Sequence, residues 1–416
     1  MRQTARIIST YSADVFGVCS ALFELGGMTV MHDASGCNST YTTHDEPRWY
    51  DMDSMVYLSG LSEMEAVMGD DEKLIRDIAD AAVQLKPKFI AIAGTPIPTM
   101  TGFDFAAVAH LIEQETGIPS FGFPTTGMNT YIHGASMALE GIARRFVREN
   151  EKGGSPREAG SAISGRKIRV NILGLTPLDF SVNGQDGSIA AFLEESGFVV
   201  QSRWAMGCSL EELTRAGEAD VNLVVSAAGL GAARALHERF GIPQVAGLPV
   251  GAKQRAALAR DIEFSAQDRE SRVCHPEGTD RPAGGHPAGS ASAGDSAGGI
   301  AVIGEGITSL ALAQALSCAG VRKTRVLCAT ECGDGILRES DRMTPDEDDI
   351  IPELAGAKVV IADPLYKPVC PEGAEFIPLP SEAFSGRIYR SGIPDLMRDK
   401  DLDKMIRSVL AAQGAQ

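Results

Sequence analysis

Two hydrophobic rhythms alternate along this chain. Short continuous apolar runs (FIAIA at residues 89–93, GIPSFGF at 117–123, RVNILGL at 169–175, VNLVVS at 221–226) stand between longer stretches with helical spacing. The clearest helix is predicted over residues 70–86. There Leu74, Ile75, Ile78, Ala82 and Leu85 fall on one face, Asp70, Asp71 and Glu72 put negative charge in the first turn, and Pro87 ends the run. Strands that are apolar on both faces and alternate with helices predict parallel sheets covered on both sides.

The alternation occurs three times. In residues 1–150 the pattern predicts a helix over 15–25 stopped by Gly26 and Gly27. Strands at 28–32, 55–59, 89–93 and 117–123 follow, with helices over 70–86, 103–116 and 131–148. A polar, glycine-rich stretch at 149–166 marks a boundary. Residues 165–266 repeat the pattern, with strands near 169–175, 198–204 and 221–226 and helices over 187–196, after Ser209, over 230–240 and over 252–264. Residues 267–298 are rich in Gly, Ala, Ser, Pro and charge. They bury too little to offset chain entropy, so the expectation is a disordered linker holding Cys274 and His275 as solvated side chains. Residues 299–416 open with a strand, a Gly-rich turn and a helix, continue with strands at 324–329, 357–363 and near 376–380, and close on a helix over 393–410. The expected fold class is α/β: three Rossmann-like domains, each a mostly parallel sheet flanked by helices, with a disordered insertion before the third.

Composition narrows the partners. The 55 acidic and 38 basic residues leave a net charge of −17, which argues against nucleic acid or an anionic membrane as the main partner. No run approaches the roughly 18 apolar residues of a membrane span, and the first residues lack the apolar core of a secretory signal. Eight irregularly spaced cysteines do not form a disulfide scaffold. A reducing cytoplasm is the expected setting, with one or more thiols kept for metal or redox chemistry.

The candidate chemistry centres on residues 28–53. Gly36 lets backbone amides approach the sulfur of Cys37, an environment suited to a cluster-binding thiolate; a small turn cysteine is the alternative. His44, Asp45, Glu46, Arg48 and Tyr50 follow. They could supply protons or hold an anionic substrate, or they could form a salt-bridged loop at a subunit interface. No Walker A loop is present, so ATP hydrolysis by this chain is not expected. Gly304 and Gly306 follow a strand, but Ser309 stands where a third glycine would, and a plain tight turn is the better reading. Cys328 and Cys332 sit at the end of a predicted strand as a two-thiol site or as ordinary half-buried cysteines.

The run FGVCSALFELGGMTVMHDASGC at residues 16–37 resembles the segment leading to the cluster-binding Gly-Cys of the nitrogenase component 1 superfamily. LSEMEAVMGDDEKLIRDI, GIPSFGFPTTGMNTYIHGASMALEGI, FGIPQVAGLPVGAKQ and FIPLPSEAFSGRIYRSGIPDLM resemble later segments of that family in order. The superfamily includes molybdenum–iron protein subunits, cofactor-assembly scaffolds, dark-operative protochlorophyllide reductase and nickel-sirohydrochlorin diamide reductase.

The resemblance implies a three-domain subunit paired as a homodimer or with a homologous subunit. It implies an iron–sulfur cluster of the 4Fe–4S type near the pairing surface, a P-loop iron protein as electron donor, and a substrate, metallocofactor or tetrapyrrole among the three domains. Of the family's three cluster cysteines only Cys37 is matched. The others fall near Ser12 and Thr95, with Cys19 a substitute thiol and Asp14 a substitute oxygen ligand. Cys37 and Cys19 from two chains would place four thiolates around one cubane. No counterpart of the residues that hold the molybdenum cofactor is evident, which argues against nitrogen fixation itself. A nitrogenase-like oxidoreductase subunit is the expectation. The rival is a non-catalytic scaffold or carrier for a metallocluster or tetrapyrrole.

Overall fold

The computed structural model describes residues 6–34, 36, 38–149, 166–279 and 299–414. Cys37, most of the 149–166 boundary and residues 280–298 of the expected linker lie outside them. Three parallel sheets make up the fold.

The first sheet has the order β2–β1–β3–β4, formed by β1 (Met28–His32), β2 (Val56–Leu58), β3 (Ile90–Gly94) and β4 (Ser120–Phe123). Met28 pairs with Ile90 and His32 with Gly94. Its principal helices are α1 (Asp14–Leu22), α2 (Glu63–Met68), α3 (Asp71–Leu85), α4 (Pro96–Thr101), α5 (Phe105–Thr116) and α6 (Tyr131–Phe146).

The second sheet, in the order β6–β5–β7–β8–β9, comprises β5 (Arg169–Leu173), β6 (Val199–Arg203), β7 (Val221–Val224), β8 (Gln244–Ala246) and β9 (Arg272–Val273). Helices α7 (Gln185–Glu195), α8 (Leu230–Phe240) and α9 (Ala252–Asp268) accompany it. The third sheet, in the order β12–β11–β10–β13–β14, comprises β10 (Ile300–Gly304), β11 (Thr324–Cys328), β12 (Arg342–Met343), β13 (Val359–Ala362) and β14 (Glu375–Pro378), with α10 (Gly306–Cys318) and the closing helix α11 (Asp399–Gly414).

Several boundaries differ from the sequence reading. The helix at 96–101 was not expected: it is short and holds two prolines, both in its first turn, where a missing N–H leaves no helical bond unmade. The closing helix starts at Asp399, because residues 393–398 form a turn instead, in which Asp395 accepts from the N–H groups of Met397 and Arg398. The second unit runs past residue 266: α9 continues to Asp268, and β9 pairs with β8. Cys274, expected as a solvated side chain, is 3% exposed, and its N–H bonds the carbonyl of Ala246. A two-residue edge strand has too short an apolar run to register against its polar flanks. Among the described residues no helix is long and apolar enough to cross a membrane.

Helix α6 holds the units together. It crosses α1 through two glycines, with almost no room to spare. A Cβ on Gly17 would stand 1.9 Å from the carbonyl oxygen of Tyr131, and one on Gly134 would stand 1.8 Å from that of Asp14. On its other side α6 meets α8, where Gly231 donates its N–H to Ser136 Oγ at 2.9 Å. Arg239 of α8 bonds the carbonyls of Ala143 (2.6 Å) and Val147 (2.9 Å), groups at the end of α6 with no partner of their own in that helix. From the third unit, Glu331 accepts the N–H of Thr130, which starts α6, at 3.0 Å.

Gly134→Ala should therefore destabilise the protein by about 3 kcal/mol or more, because backbone rather than a flexible side chain blocks the new methyl. Gly187→Ala, in α7 with open space around it, should be neutral or stabilise by about 0.5–1 kcal/mol. Urea denaturation of the two variants beside the parent chain checks the contrast.

Candidate functional site

The loop predicted to carry the cluster leaves β1 at the C-terminal edge of the first sheet, the edge where parallel α/β sheets bind ligands. Gly36 is exposed, with open space where a side chain would be. Its carbonyl accepts from Ser39 N–H at 3.0 Å and from Ser39 Oγ at 2.6 Å. Thr95, at the end of β3, donates its hydroxyl to His32 O at 3.2 Å, so it stands at the root of this loop. The chain then makes a short helical turn, Asn38–Thr40, which widens into a π-helical turn, Tyr41–Asp45. Tyr41 anchors the turn in an aromatic cluster with Tyr11 (4.9 Å) and Phe16 (5.0 Å).

Most of the polar block is engaged in holding units together. Arg48 is 4% exposed. Its Nε and Nη2 bond Glu46 at 2.8 and 2.6 Å, Nη1 bonds Glu24 at 2.9 Å and the carbonyl of Ala205 at 2.7 Å, and Nη2 bonds Ser20 O at 2.7 Å. These bonds use all five guanidinium N–H groups and leave none for a substrate anion. Glu46, 1% exposed, also takes the Arg48 backbone N–H. Ala205 belongs to the second unit, so Arg48 ties the first unit to the second. Asp45 ties it to the third: it accepts from Tyr11 OH, pairs with Arg387 at 3.2 Å and offers its carbonyl to Arg390 at 3.3 Å. The His44 side chain is 36% exposed, with Nδ1 bonded to Thr43 Oγ1 at 2.8 Å, and Tyr50 is the most open of the five at 74%.

The two substitute ligands also lie inside. Cys19 is fully buried on α1, and burial, with the nearby Glu46 carboxylate, raises its thiol pKa. Bringing that sulfur to a cluster would require α1 to unpack. Asp14 is fully buried. Its Oδ1 accepts from Val15 and Gly127 N–H at 2.9 and 2.8 Å, and its Oδ2 accepts from Thr126 N–H and Asn129 Nδ2 at 3.0 and 3.1 Å. Among the described residues no group of three or more His, Cys, Asp or Glu side chains is placed to hold a metal ion. The described part of one chain therefore does not fit a cubane cluster by itself.

A second candidate lies where the three units meet, at the crossover point of the third sheet between β10 and β13. A cavity of about 70 Å³ is lined there by Tyr131, Asp179, Glu305, Thr308, Asp363 and Tyr366, with apolar neighbours and no Lys, Arg or His. Tyr131 OH donates to Asp179 Oδ1, while Thr176 and Ser226 hydroxyls donate to Oδ2 at 2.9 and 2.7 Å. Glu305 accepts from Ala227 N–H at 2.9 Å and Thr308 N–H at 2.8 Å. Burial, together with the facing Glu305, pushes the Asp179 carboxyl pKa up to about 7. Burial likewise raises Glu305 and Asp363. Beside this pair, the thiols of Cys328 and Cys332 press on Gly306, whose added Cβ would stand 2.5 Å from Cys332 Sγ. The hydrogen bond that Cys332 donates to Cys328, and then burial, raise the Cys332 thiol pKa, which disfavours the reactive thiolate.

The sequence reading did not find this acidic pair, since Asp179 and Glu305 are far apart along the chain. The available signal was position: each follows the end of a central strand of a parallel sheet, Asp179 after β5 and Glu305 after β10.

Comparison with known proteins agrees with this architecture. A family model described as nitrogenase component 1 type oxidoreductase matches residues 15–363. The chain is 24% identical over 219 residues to the nitrogenase iron–molybdenum cofactor biosynthesis protein NifE of Klebsiella pneumoniae, covering 52% of this chain and 47% of that protein. It is 26% identical over 210 residues to one of the subunits of the light-independent protochlorophyllide reductase of Nostoc punctiforme, covering 49% and 40%. It is 25% identical over 216 residues to the nitrogenase molybdenum–iron protein alpha chain of Clostridium pasteurianum, covering 52% and 38%. The chain thus spans less than half the length of each of these relatives. A solved structure of nitrogenase Cp1 at pH 6.5 superposes with a TM-score of 0.66 at 16% identity, over 99% of this chain and 94% of that one.

Two outcomes are expected. Arg48→Met, which leaves Glu46 and Glu24 buried without their cation, should cost about 3–5 kcal/mol in urea denaturation, with Arg48→Lys recovering only part. For Asp179 the folded pKa lies above the ordinary 3.8, so protonation stabilises the fold at low pH and that contribution is lost as pH rises through about 7. The urea midpoint of the parent chain should fall between about pH 5 and pH 8, and the fall should be smaller in Asp179→Asn.

Proposed function

Because this chain belongs to the nitrogenase component 1 type oxidoreductase family, we propose that it is a subunit of a nitrogenase-like reductase. It receives electrons from an ATP-dependent iron protein by way of an iron–sulfur cluster, and it handles a small substrate, or the reducible end of a larger one, at the three-unit junction. It works as a pair, with a second copy or a homologous subunit. The observation that carries this reading is the buried, protonatable Asp179–Tyr131 pair facing a cavity at the crossover point of a parallel sheet. Reduction consumes protons with its electrons, and a carboxyl whose pKa lies near 7 can both give and regain one at neutral pH.

The ligand this chain offers a cluster is Cys37, next to Gly36, which is exposed. The remaining ligands come from outside the described residues of one chain. The proton side follows from the chain's own groups. Thr176 and Ser226 occupy Asp179 Oδ2, so an incoming proton goes to Oδ1. Protonated there, Asp179 donates to the Tyr131 oxygen instead of accepting from it. The Tyr131 hydroxyl hydrogen is then free to point into the cavity. With Arg48 and Glu46 committed to a buried ion pair and Asp45 to Arg387 of the third unit, this pair replaces the 44–48 block as the proposed proton source.

The scaffold reading fits less well. A cavity of about 70 Å³ holds less than a benzene ring, which occupies a cavity of about 150 Å³. A tetrapyrrole or metallocluster would enter only if the three units moved apart.

The test is anaerobic reconstitution of the chain with its partner subunit, followed by iron and sulfide analysis and by turnover with iron protein and ATP. Cys37→Ala should lose the cluster while Cys19→Ala keeps it, and Asp179→Asn should keep the cluster yet lower turnover by about a hundredfold. A full cluster in Cys37→Ala would overturn the ligand assignment. Unchanged turnover in Asp179→Asn would overturn the proton assignment.

A further inference from the structure

A larger cavity, about 250 Å³, lies in the first unit, away from the junction. Strand β2 is the edge of its sheet, and α3 lines the cavity beside that edge. The floor is apolar, built from Val30, Leu58, Leu74 and Ile78. The volume exceeds the roughly 150 Å³ that holds a benzene ring, so it admits a bicyclic ring with a short chain.

Two polar features mark its ends. His32 lines the cavity and is 5% exposed. Its Nδ1 meets Ser59 Oγ at 3.0 Å. That hydroxyl donates to Asp33 O at 3.2 Å and accepts from Asp33 N–H at 3.1 Å, so its single hydrogen is already used. With the Ser59 hydrogen on Asp33 O, Nδ1 is the donor and Nε2 carries a lone pair. No protein group among the described residues bonds Nε2, although the ring is almost wholly buried. Burial keeps the ring neutral, with its pKa pushed down to about 4, so Nε2 stays an acceptor at neutral pH. At the rim three carboxylates, Glu65, Asp70 and Asp77, face one ammonium, Lys73, which is already paired with Glu65 at 3.2 Å and Asp77 at 3.0 Å. An anionic ligand would meet net negative charge and no free cation. A cationic one would meet complementary charge.

We infer that this cavity is a binding site for a small organic amine, whose apolar ring lies against Val30, Leu74 and Ile78, whose ring N–H donates to His32 Nε2, and whose ammonium group lies among the rim carboxylates. The chemistry selects an arylalkylamine with a ring donor. It excludes the matching carboxylic acid. The inference is independent of the reaction proposed for the junction.

Calorimetric titration of the full-length chain with tryptamine, N-methylindole ethylamine and indole propionate tests it. Tryptamine should bind at least about tenfold more tightly than either of the others, since one lacks the ring N–H and the other reverses the end charge. In His32→Leu the preference for tryptamine over its N-methyl analogue should vanish, while His32→Gln, which keeps an acceptor, should retain part of it. Ala81→Trp, on the cavity wall and only partly buried, should abolish binding of all three with the fold intact by circular dichroism. Equal affinities across the three probes would overturn the proposal. So would undiminished binding to Ala81→Trp, or no saturation by tryptamine at about 5 mM. If His32→Leu fails to fold, the probe series on the parent chain and Ala81→Trp still decide.

Discussion

The contact between α1 and α6 is the constraint on which the rest of this structure depends. Gly17 and Gly134 let the two helix backbones come closer than any side chain allows. That approach sets where each helix begins. Asp14, at the start of α1, gathers the 126–129 turn through three hydrogen bonds to its carboxylate, and Tyr131 N–H bonds Ser12 O. Tyr131 thereby enters the junction at the position from which it reaches Asp179. One close crossing therefore fixes both the entry to the first unit and the chemistry of the cavity between units.

Charge is spent in two opposite ways. Around Arg48, burial is compensated: five donors meet two carboxylates and two carbonyls, and the cluster acts as a fastener between the first and second units. At the junction it is left uncompensated. Asp179 and Glu305 face each other without a cation, and proton uptake relieves the repulsion. Paired burial of this kind stabilises, while unpaired burial keeps a group close to its own titration, which is the state a proton donor requires.

Much of the fold was legible in the sequence because its central strands are apolar on both faces and its helices carry one clear stripe; β3, β5, β7 and α3 lie within a residue or two of their expected positions. The exceptions are short elements whose stability comes from contacts distant in sequence. Helix α4 has six residues and no readable period, and β9 has two residues that pair with β8 across the whole of α9. The site was less legible. Arg48 looks like an anion anchor when only residues 44–50 are in view; its partners Glu24 and Ala205 are visible only once the chain is folded. Asp179 carried no motif, and Glu305 lay inside the Gly304–Gly306 turn that reads as a plain tight turn; what they share is the same place after a parallel strand.

Because α6 touches α1, α8 and Glu331 at once, it works as the axle of the molecule. Any swing of the second unit about that axle would leave the contacts near the shaft almost undisturbed. It would strain the Tyr131–Asp179 bond, where the moving parts meet at the chamber wall. Water reaching Asp179 would then lower its affinity for hydrogen ion. In such a swing, the opening of the chamber and the loss of the burial that holds Asp179 protonated would go together.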